Sequence, residues 1–112
     1  MNFKRDNSLQ KRQELSKGIT EKYPDKIPVI IECRGDLKLK KEKFIINKSA
    51  EWSYFLLIIR RFVEIKGDES LFTFVNNTMP PGSELIGNIY NRNVDKDGFL
   101  YCIVTKESTF GY

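Results

Sequence analysis

The sequence predicts a single α+β domain in which one long helix packs on a four-stranded mixed sheet. Its 112 residues suit one domain with one core. Four short runs are rich in β-branched and aromatic residues, and two amphipathic helical patterns lie before and between them. The predicted order is helix, strand, strand, helix, strand, short helix, strand. Two strands, a long helix and two more strands favour an α+β roll of the ubiquitin-like, β-grasp kind.

The first predicted element is an amphipathic helix over residues 9–23, which Pro24 ends. This helix is additional to the β-grasp plan, so we expect it to pack on the face of the sheet opposite the long helix. Two strands follow it, KIPVIIEC at 26–33 and KFIIN at 43–47. A polar connection that begins at Arg34 joins them. Pro28 is tolerated in the first strand only if its missing N–H faces no partner.

The long helix carries Trp52, Phe55 and Ile59 at spacings of three and four, which predicts one broad buried face. We expect Ser49 to cap it and the helix to continue through residue 63. The remaining predicted elements are a strand at 71–75, a turn at 76–82, a short helix at 84–90 opened by Ser83, and a final strand at 99–105. The single domain, 1–112, then has an N-terminal helical segment (1–23), a β-grasp core (24–105) and a flexible tail (106–112).

The residue types argue against catalysis. The chain contains no histidine, which excludes Ser-His-Asp and Cys-His mechanisms and removes the commonest metal ligand. Two cysteines are too few for a zinc site or a disulfide framework. We therefore predict no enzymatic activity, no metal and no cofactor. Cys33 and Cys102 lie in strand-like runs, so we expect reduced, buried, structural thiols.

Charge is distributed unevenly along the chain. Residues 1–43 carry 12 basic and 7 acidic side chains, whereas residues 44–112 carry 7 and 8. A basic N-terminal part suggests an acidic partner such as nucleic acid, anionic lipid or acidic peptide, and the alternative is an ordinary solvated face. The longest apolar run, at 55–59, is far too short to cross a bilayer. Residues 1–12 are polar, so we expect no signal peptide and a cytoplasmic protein.

Four short motifs resemble one family, that of the autophagy ubiquitin-like modifiers, which includes the GABA-receptor-associated protein and the microtubule-associated light chain proteins. They are KYPDKIPVI at 22–30, FVNN at 74–77 followed by Pro80, GFLY at 98–101, and the terminal Phe110-Gly111. Each motif alone is a weak signal, but the four occur in the family's order and spacing. The resemblance covers residues 10–111 and implies a ubiquitin-like fold.

The resemblance also implies a conjugation pathway. A processing cysteine protease would remove Tyr112, and activating and conjugating enzymes would join Gly111 to phosphatidylethanolamine on autophagosomal membranes. Glycine suits this chemistry because a tail threaded to an enzyme's thiolate needs free access and a flexible backbone. The catalytic cysteines would belong to the partner enzymes. The alternative is a C-terminus with no function.

A second implied function is the docking of peptides with an acidic residue, an aromatic anchor and an aliphatic anchor three positions later, as found in autophagy receptors. Such a peptide adds as a strand and fills two pockets. By resemblance, the aromatic pocket comprises Ile19, Pro28, Ile30, Lys43, Ile45 and Phe99. The aliphatic pocket comprises Phe44, Ile46, Ala50, Phe55, Ile58 and Phe62. Basic contacts to the acidic residues are assigned to Lys11, Arg12, Lys26 and Lys41, together with Lys43.

The alternation of strand residues limits this assignment. Successive side chains of KFIIN face opposite sides of the sheet, so Ile45 cannot enter the same core as Phe44 and Ile46. The alternative interpretation puts one set in the core and the other beneath the N-terminal helix. We expect some of these side chains to be partly exposed.

The sequence departs from the family at four places. The connection at 34–40 is about three residues shorter, and the helix start at 49–54 lacks the usual L-T-V-G-Q. Asn47 stands in place of a usual proline, and Phe62 in place of an arginine. Phe62 lies either in the aliphatic pocket, which it would make more apolar, or in the core beneath the helix.

Three alternatives to a lipid-conjugated modifier stay open. One is an unconjugated ubiquitin-like interaction module, and another is the same conjugate serving a different organelle membrane. A basic nucleic-acid-binding domain is the third. We disfavour it because the basic stretch lacks interleaved exposed aromatic residues and no RNA-binding motif is present.

Overall fold

The structure, a computed structural model, describes residues 2–107. This part of the chain forms four helices and six strands. In chain order they are α1 (Phe3–Asp6), α2 (Leu9–Lys22), β1 (Lys26–Cys33), β2 (Lys38–Leu39), β3 (Lys43–Asn47), α3 (Trp52–Phe62), β4 (Val63–Glu64), β5 (Phe72–Phe74), α4 (Ile86–Asn93) and β6 (Leu100–Thr105).

Four strands form one mixed sheet in the order β3-β1-β6-β5. Strand β1 pairs antiparallel with β3 and parallel with β6, and β5 pairs antiparallel with β6. The predicted four-stranded mixed sheet is therefore confirmed. β2 and β4 pair separately as a two-stranded ribbon. This ribbon was not predicted, because two residues are too few to show an alternating pattern.

The two faces of the sheet carry separate hydrophobic clusters. The main core lies on the α3 and α4 side and includes Val29, Leu100 and Trp52. On the opposite face, Phe3 from α1 and Ile30 and Phe99 from the sheet form a second cluster, against which α2 packs. The rings of Phe3 and Phe99 meet edge to face with centroids 5.2 Å apart. The prediction that the N-terminal helix covers the other face is therefore correct, but the additional helix α1 was not predicted.

Pro28 lies in a central strand, where a missing N–H normally breaks a ladder. Arg34 N donates to Val104 O at 2.9 Å. In this parallel pair every second residue of β1 donates its N–H to β6. Counting back from Arg34 in steps of two, an N–H at position 28 would donate to the carbonyl of Gly98. The hydroxyl of Tyr90 donates to that carbonyl at 2.8 Å instead. A side chain thus replaces the hydrogen bond that proline cannot make.

The start of α3 differs from the expectation. Ser49 does not cap the helix, because its backbone N–H and its hydroxyl both donate to Asn47 Oδ1, at 2.9 and 2.7 Å. The first amides of α3 instead donate to a distant loop, Trp52 N to Glu84 O at 2.8 Å and Ser53 N to Gly82 O at 2.9 Å.

The same arrangement operates in reverse at α4, which begins at Ile86 rather than at Glu84 as predicted. Ile86 N donates to Ala50 O and Gly87 N to Lys48 O, both at 2.9 Å. Each helix therefore uses backbone carbonyls of the loop before the other helix to satisfy its first N–H groups. This reciprocal pairing fixes the loop after β3 and the N-terminus of α3 in one position.

Candidate functional site

Strand β3 forms one edge of the sheet. Ile31 N donates to Glu42 O at 2.8 Å, and in an antiparallel ladder the residues that bond the neighbouring strand alternate. The residues of β3 that bond β1 are therefore the even-numbered ones, Phe44 and Ile46. The backbone polar groups of Lys43 and Ile45 face outwards, and within residues 2–107 no strand pairs with them. This edge can accept an added peptide strand.

The residues assigned to the aromatic pocket share the α2 side of the sheet. Pro28 lies opposite Ile45, and Ile30 lies opposite Lys43. Ile45 is 37% exposed and Lys43 is exposed, whereas Pro28, Ile30 and Phe99 are buried. Ile19 of α2 is half-buried and packs on the Ile30–Phe99 cluster. The structure thus brings all six to the same side of the sheet, with Ile45 and Lys43 exposed, Ile19 half-buried and the other three buried.

The residues assigned to the aliphatic pocket divide into two layers. Phe44, Ile46 and Phe55 are buried in the main core, and the rings of Phe44 and Phe55 are 5.8 Å apart. The other three, Ala50, Ile58 and Phe62, are half-buried and pack against that core. A ligand on this side would meet the half-buried layer first. As predicted from KFIIN, Ile45 faces away from Phe44 and Ile46.

Phe62 contacts Phe44 edge to face with ring centroids 5.3 Å apart. Lys41 lies over both rings, with Nζ 5.1 Å from the Phe44 centroid and 5.5 Å from that of Phe62. The ammonium group is therefore held beside the aliphatic layer by two cation–π contacts. Lys41 was predicted as a basic contact, but nothing in the sequence indicated its two cation–π contacts.

The basic residues differ in their accessibility. Lys11, Lys26 and Lys41 are exposed. Arg12 is only 8% exposed, and its Nη1 donates to Asp97 Oδ2 at 2.9 Å. The expectation that Arg12 faces acidic peptides is not what the structure shows, because its charge is paired inside the protein. Contacts with Tyr101 and Asp97 raise the pKa of Arg12, so it stays charged.

Both cysteines are free, Cys102 buried and Cys33 half-buried. Burial raises the pKa of each thiol, so both cysteines stay in the protonated form, which is a poor nucleophile. In residues 2–107 no group of three or more His, Cys, Asp or Glu side chains could hold a metal ion. None of the helices in that range combines the length and the apolar character needed to span a membrane.

Comparison with known proteins identifies the family. Residues 11–111 match the family model described as autophagy protein Atg8, ubiquitin-like. Autophagy-related protein 8c of Arabidopsis thaliana is 38% identical over 112 residues, covering 97% of this chain and 94% of that protein. Autophagy-related protein 8 of Dictyostelium discoideum is 40% identical over 113 residues, covering 97% and 93%.

The chain belongs to the Atg8 family.

Solved Atg8 structures have the same fold. Plasmodium falciparum Atg8, in complex with an Atg3 peptide from the same organism, superposes with a TM-score of 0.89 at 27% identity, over 98% of this chain and 99% of that one. Trypanosoma brucei ATG8 gives 0.87 at 30% identity, over 99% and 98%. The predicted ubiquitin-like fold is thereby confirmed for this chain. Gly111 and Tyr112, assigned to conjugation and cleavage, lie outside the described residues.

A substitution at Phe62 tests the residues assigned to the aliphatic pocket. We expect Phe62→Arg to remain folded, because the ring is only half-buried, but to lower the free energy of unfolding by about 1–2 kcal/mol through lost apolar burial. Affinity for peptides with a large aliphatic anchor should also fall. The new arginine can add an exposed ion pair worth only about 0.2–1 kcal/mol, which is less than the apolar contact that is lost.

Thermal unfolding followed by peptide titration measures both effects. Phe62→Leu, which keeps apolar surface, is the matched control and should retain most of the affinity. A folded Phe62→Arg variant that binds as tightly as the wild type would show that Phe62 does not contact the aliphatic anchor.

Proposed function

We propose that this protein is a ubiquitin-like modifier without catalytic activity of its own. A cysteine protease removes Tyr112, and activating and conjugating enzymes join Gly111 to phosphatidylethanolamine. The conjugate acts on autophagosomal membranes, which it reaches from the cytoplasm. Two findings support the proposal: the match to the Atg8 family model extends to residue 111, and the Plasmodium relative binds a peptide of Atg3.

We further propose that proteins with an acidic aromatic-x-x-aliphatic peptide dock along β3. The observation that carries this proposal is the open edge of β3, where the outward-facing backbone of Lys43 and Ile45 runs between two sets of apolar side chains. One set surrounds Ile45 on the α2 side, and the other, with Phe62, lies on the α3 side. Added backbone hydrogen bonds would supply affinity, and the two sets of apolar side chains would select the anchors.

Mass spectrometry of the protein from its own cells tests the conjugation. We expect a chain that ends at Gly111 and carries phosphatidylethanolamine. A population that retains Tyr112 and carries no lipid under conditions that induce autophagy would favour an unconjugated interaction module. Lipidated protein that purifies only with a different organelle would indicate the alternative membrane.

A charge reversal tests the docking edge. Lys43→Glu should lower the affinity for an acidic peptide roughly fivefold at low salt. An exposed ion pair contributes about 0.2–1 kcal/mol, and the new carboxylate adds repulsion of similar size. The loss should appear mainly as slower association, and added salt should reduce it. Stopped-flow or surface-binding kinetics at two salt concentrations provide the measurement.

Lys96→Glu is the matched control, since it makes the same charge change at an exposed lysine outside the docking edge. The double variant Lys43→Glu/Ile45→Ala removes the charge and the exposed apolar side chain together, and it should abolish measurable binding. Unchanged affinity in that double variant would exclude β3 as the docking strand.

A further inference from the structure

The turn at residues 95–98, just before β6, is bonded to both N-terminal helices. Asp95, Lys96 and Asp97 each accept a hydrogen bond from a side chain of α1 or α2. Lys4 Nζ donates to Asp95 Oδ1 at 2.7 Å, Gln13 Nε2 to Lys96 O at 3.2 Å, Arg12 Nη1 to Asp97 Oδ2 at 2.9 Å, and Ser16 Oγ to Asp97 O.

Asp97 is the centre of this turn and is only 1% exposed. Its two carboxylate oxygens serve different elements. Oδ1 accepts from the backbone N–H of Phe99 at 2.8 Å, which fixes the residue leading into β6. Oδ2 accepts from Arg12 of α2 and from the hydroxyl of Tyr101 in β6. One buried carboxylate therefore bonds both the helix and the sheet.

Asp97 is connected to two residues assigned to the aromatic pocket, Ile19 and Phe99. Arg12, Ser16 and Ile19 follow the spacing i, i+4, i+7, so they share one face of α2. Arg12 and Ser16 bond Asp97, and Ile19 packs over the cluster that contains Phe99. The position of Ile19 against Phe99 is thus set by hydrogen bonds that converge on Asp97.

We propose that Asp97 is a positioning residue for the aromatic pocket, and that it sets the size of the side chain which the pocket accepts. The proposal rests on the proposed docking function. Asp97 is buried beneath α2 and acts through Arg12 and Phe99, without contact to the peptide. A pocket whose lining residues are held in place favours an aromatic anchor over a smaller one, because a small side chain leaves it incompletely filled.

The main core lies on the face of the sheet opposite Phe3, Ile30 and Phe99. Asp97→Asn removes the charge while keeping the shape of the side chain. The β-grasp core should remain folded, while α2 is held less firmly over Phe99.

The experiment compares two peptides on the full chain by calorimetry. They are identical except for the anchor, one with acidic-Trp-x-x-Leu and one with acidic-Leu-x-x-Leu. The wild type should prefer the Trp peptide, and Asp97→Asn should reduce that preference roughly tenfold, the equivalent of about 1.4 kcal/mol. Hydrogen exchange should rise for amides of α2 and stay unchanged for α3. Gln13→Ala is the control on the same turn, since it removes only the exposed side-chain bond from α2 to Lys96 O, and it should keep the preference.

Three outcomes would refute the proposal. The first is a folded Asp97→Asn variant with the wild-type preference for Trp. If that variant does not fold, Arg12→Met removes only the helix side of the arrangement, and an unchanged preference there is the second. The third is a wild-type chain that binds neither peptide, which refutes the docking edge itself and the proposal with it. That result is distinguished from the other two because it appears before any variant is made.

Discussion

A Gly111→Ala variant is expected to remain in the cytosolic fraction of cells in which the wild type is partly membrane-bound. The added Cβ would obstruct a tail that must thread a narrow cleft to an enzyme's thiolate, and it would restrict the backbone there. The last described strand ends at Thr105, so the fold and the peptide affinity should be unchanged. Fractionation with immunoblotting measures the attachment, and thermal unfolding checks the fold.

Two further chains sharpen this test. Thr109→Ala alters the same tail without touching Gly111 and should attach to membranes normally. A chain that ends at Gly111 should attach without protease action, so it isolates conjugation from processing. Equal membrane association of Gly111→Ala and the wild type would refute conjugation through this residue.

A Gly98→Ala variant is expected to be destabilised by about 2–4 kcal/mol, from steric overlap and backbone strain together. Gly98 has a φ of +91°, and a Cβ there would lie 2.3 Å from Ser16 Oγ and 2.9 Å from Ser16 Cβ. Because Ser16 belongs to α2, the overlap would push this helix away from the sheet. Urea unfolding measures the change.

Ser16→Gly combined with Gly98→Ala separates the two causes. The double variant removes the overlap but keeps the unfavourable φ. Ser16→Gly alone costs about 1 kcal/mol in helix propensity and also loses its hydrogen bond to Asp97 O. The double variant should nevertheless be more stable than the sum of the two single changes by about 1–2 kcal/mol, a coupling expected for residues in contact. Strict additivity would show that the two positions do not meet.

The alternation of KFIIN correctly predicted that Ile45 faces away from Phe44 and Ile46. The spacing of Trp52, Phe55 and Ile59 correctly predicted the buried face of α3. These patterns are local, since each depends on the period of one strand or helix. The start of α3 was not predictable in the same way. Its first amides donate to the carbonyls of Gly82 and Glu84, which lie about thirty residues later in the sequence. Ser49, the predicted cap, donates its hydroxyl to Asn47 instead.

The candidate site shows the same division. The positions of Ile45 and Lys43 at the surface follow from strand alternation. The burial of Arg12 does not, because its partner Asp97 lies 85 residues later. From sequence alone, an arginine in a polar helix is expected at the surface, because its ion pair with Asp97 cannot be foreseen. Helix α1 was missed for a similar reason, since Phe3 is its only buried residue and packs on a ring near the other end of the chain.

The open edge of β3 also bears on self-association. An unpaired strand edge is a template for a second copy of the same chain, which leads to dimers or aggregates. Here the edge and its flanks carry four lysines against one carboxylate, Glu42: Lys40, Lys41, Lys43 and Lys48. Two copies joined along this edge would bring these like charges together, whereas an acidic peptide would neutralise them. The charges that attract the proposed ligand therefore also disfavour polymerisation of the free protein.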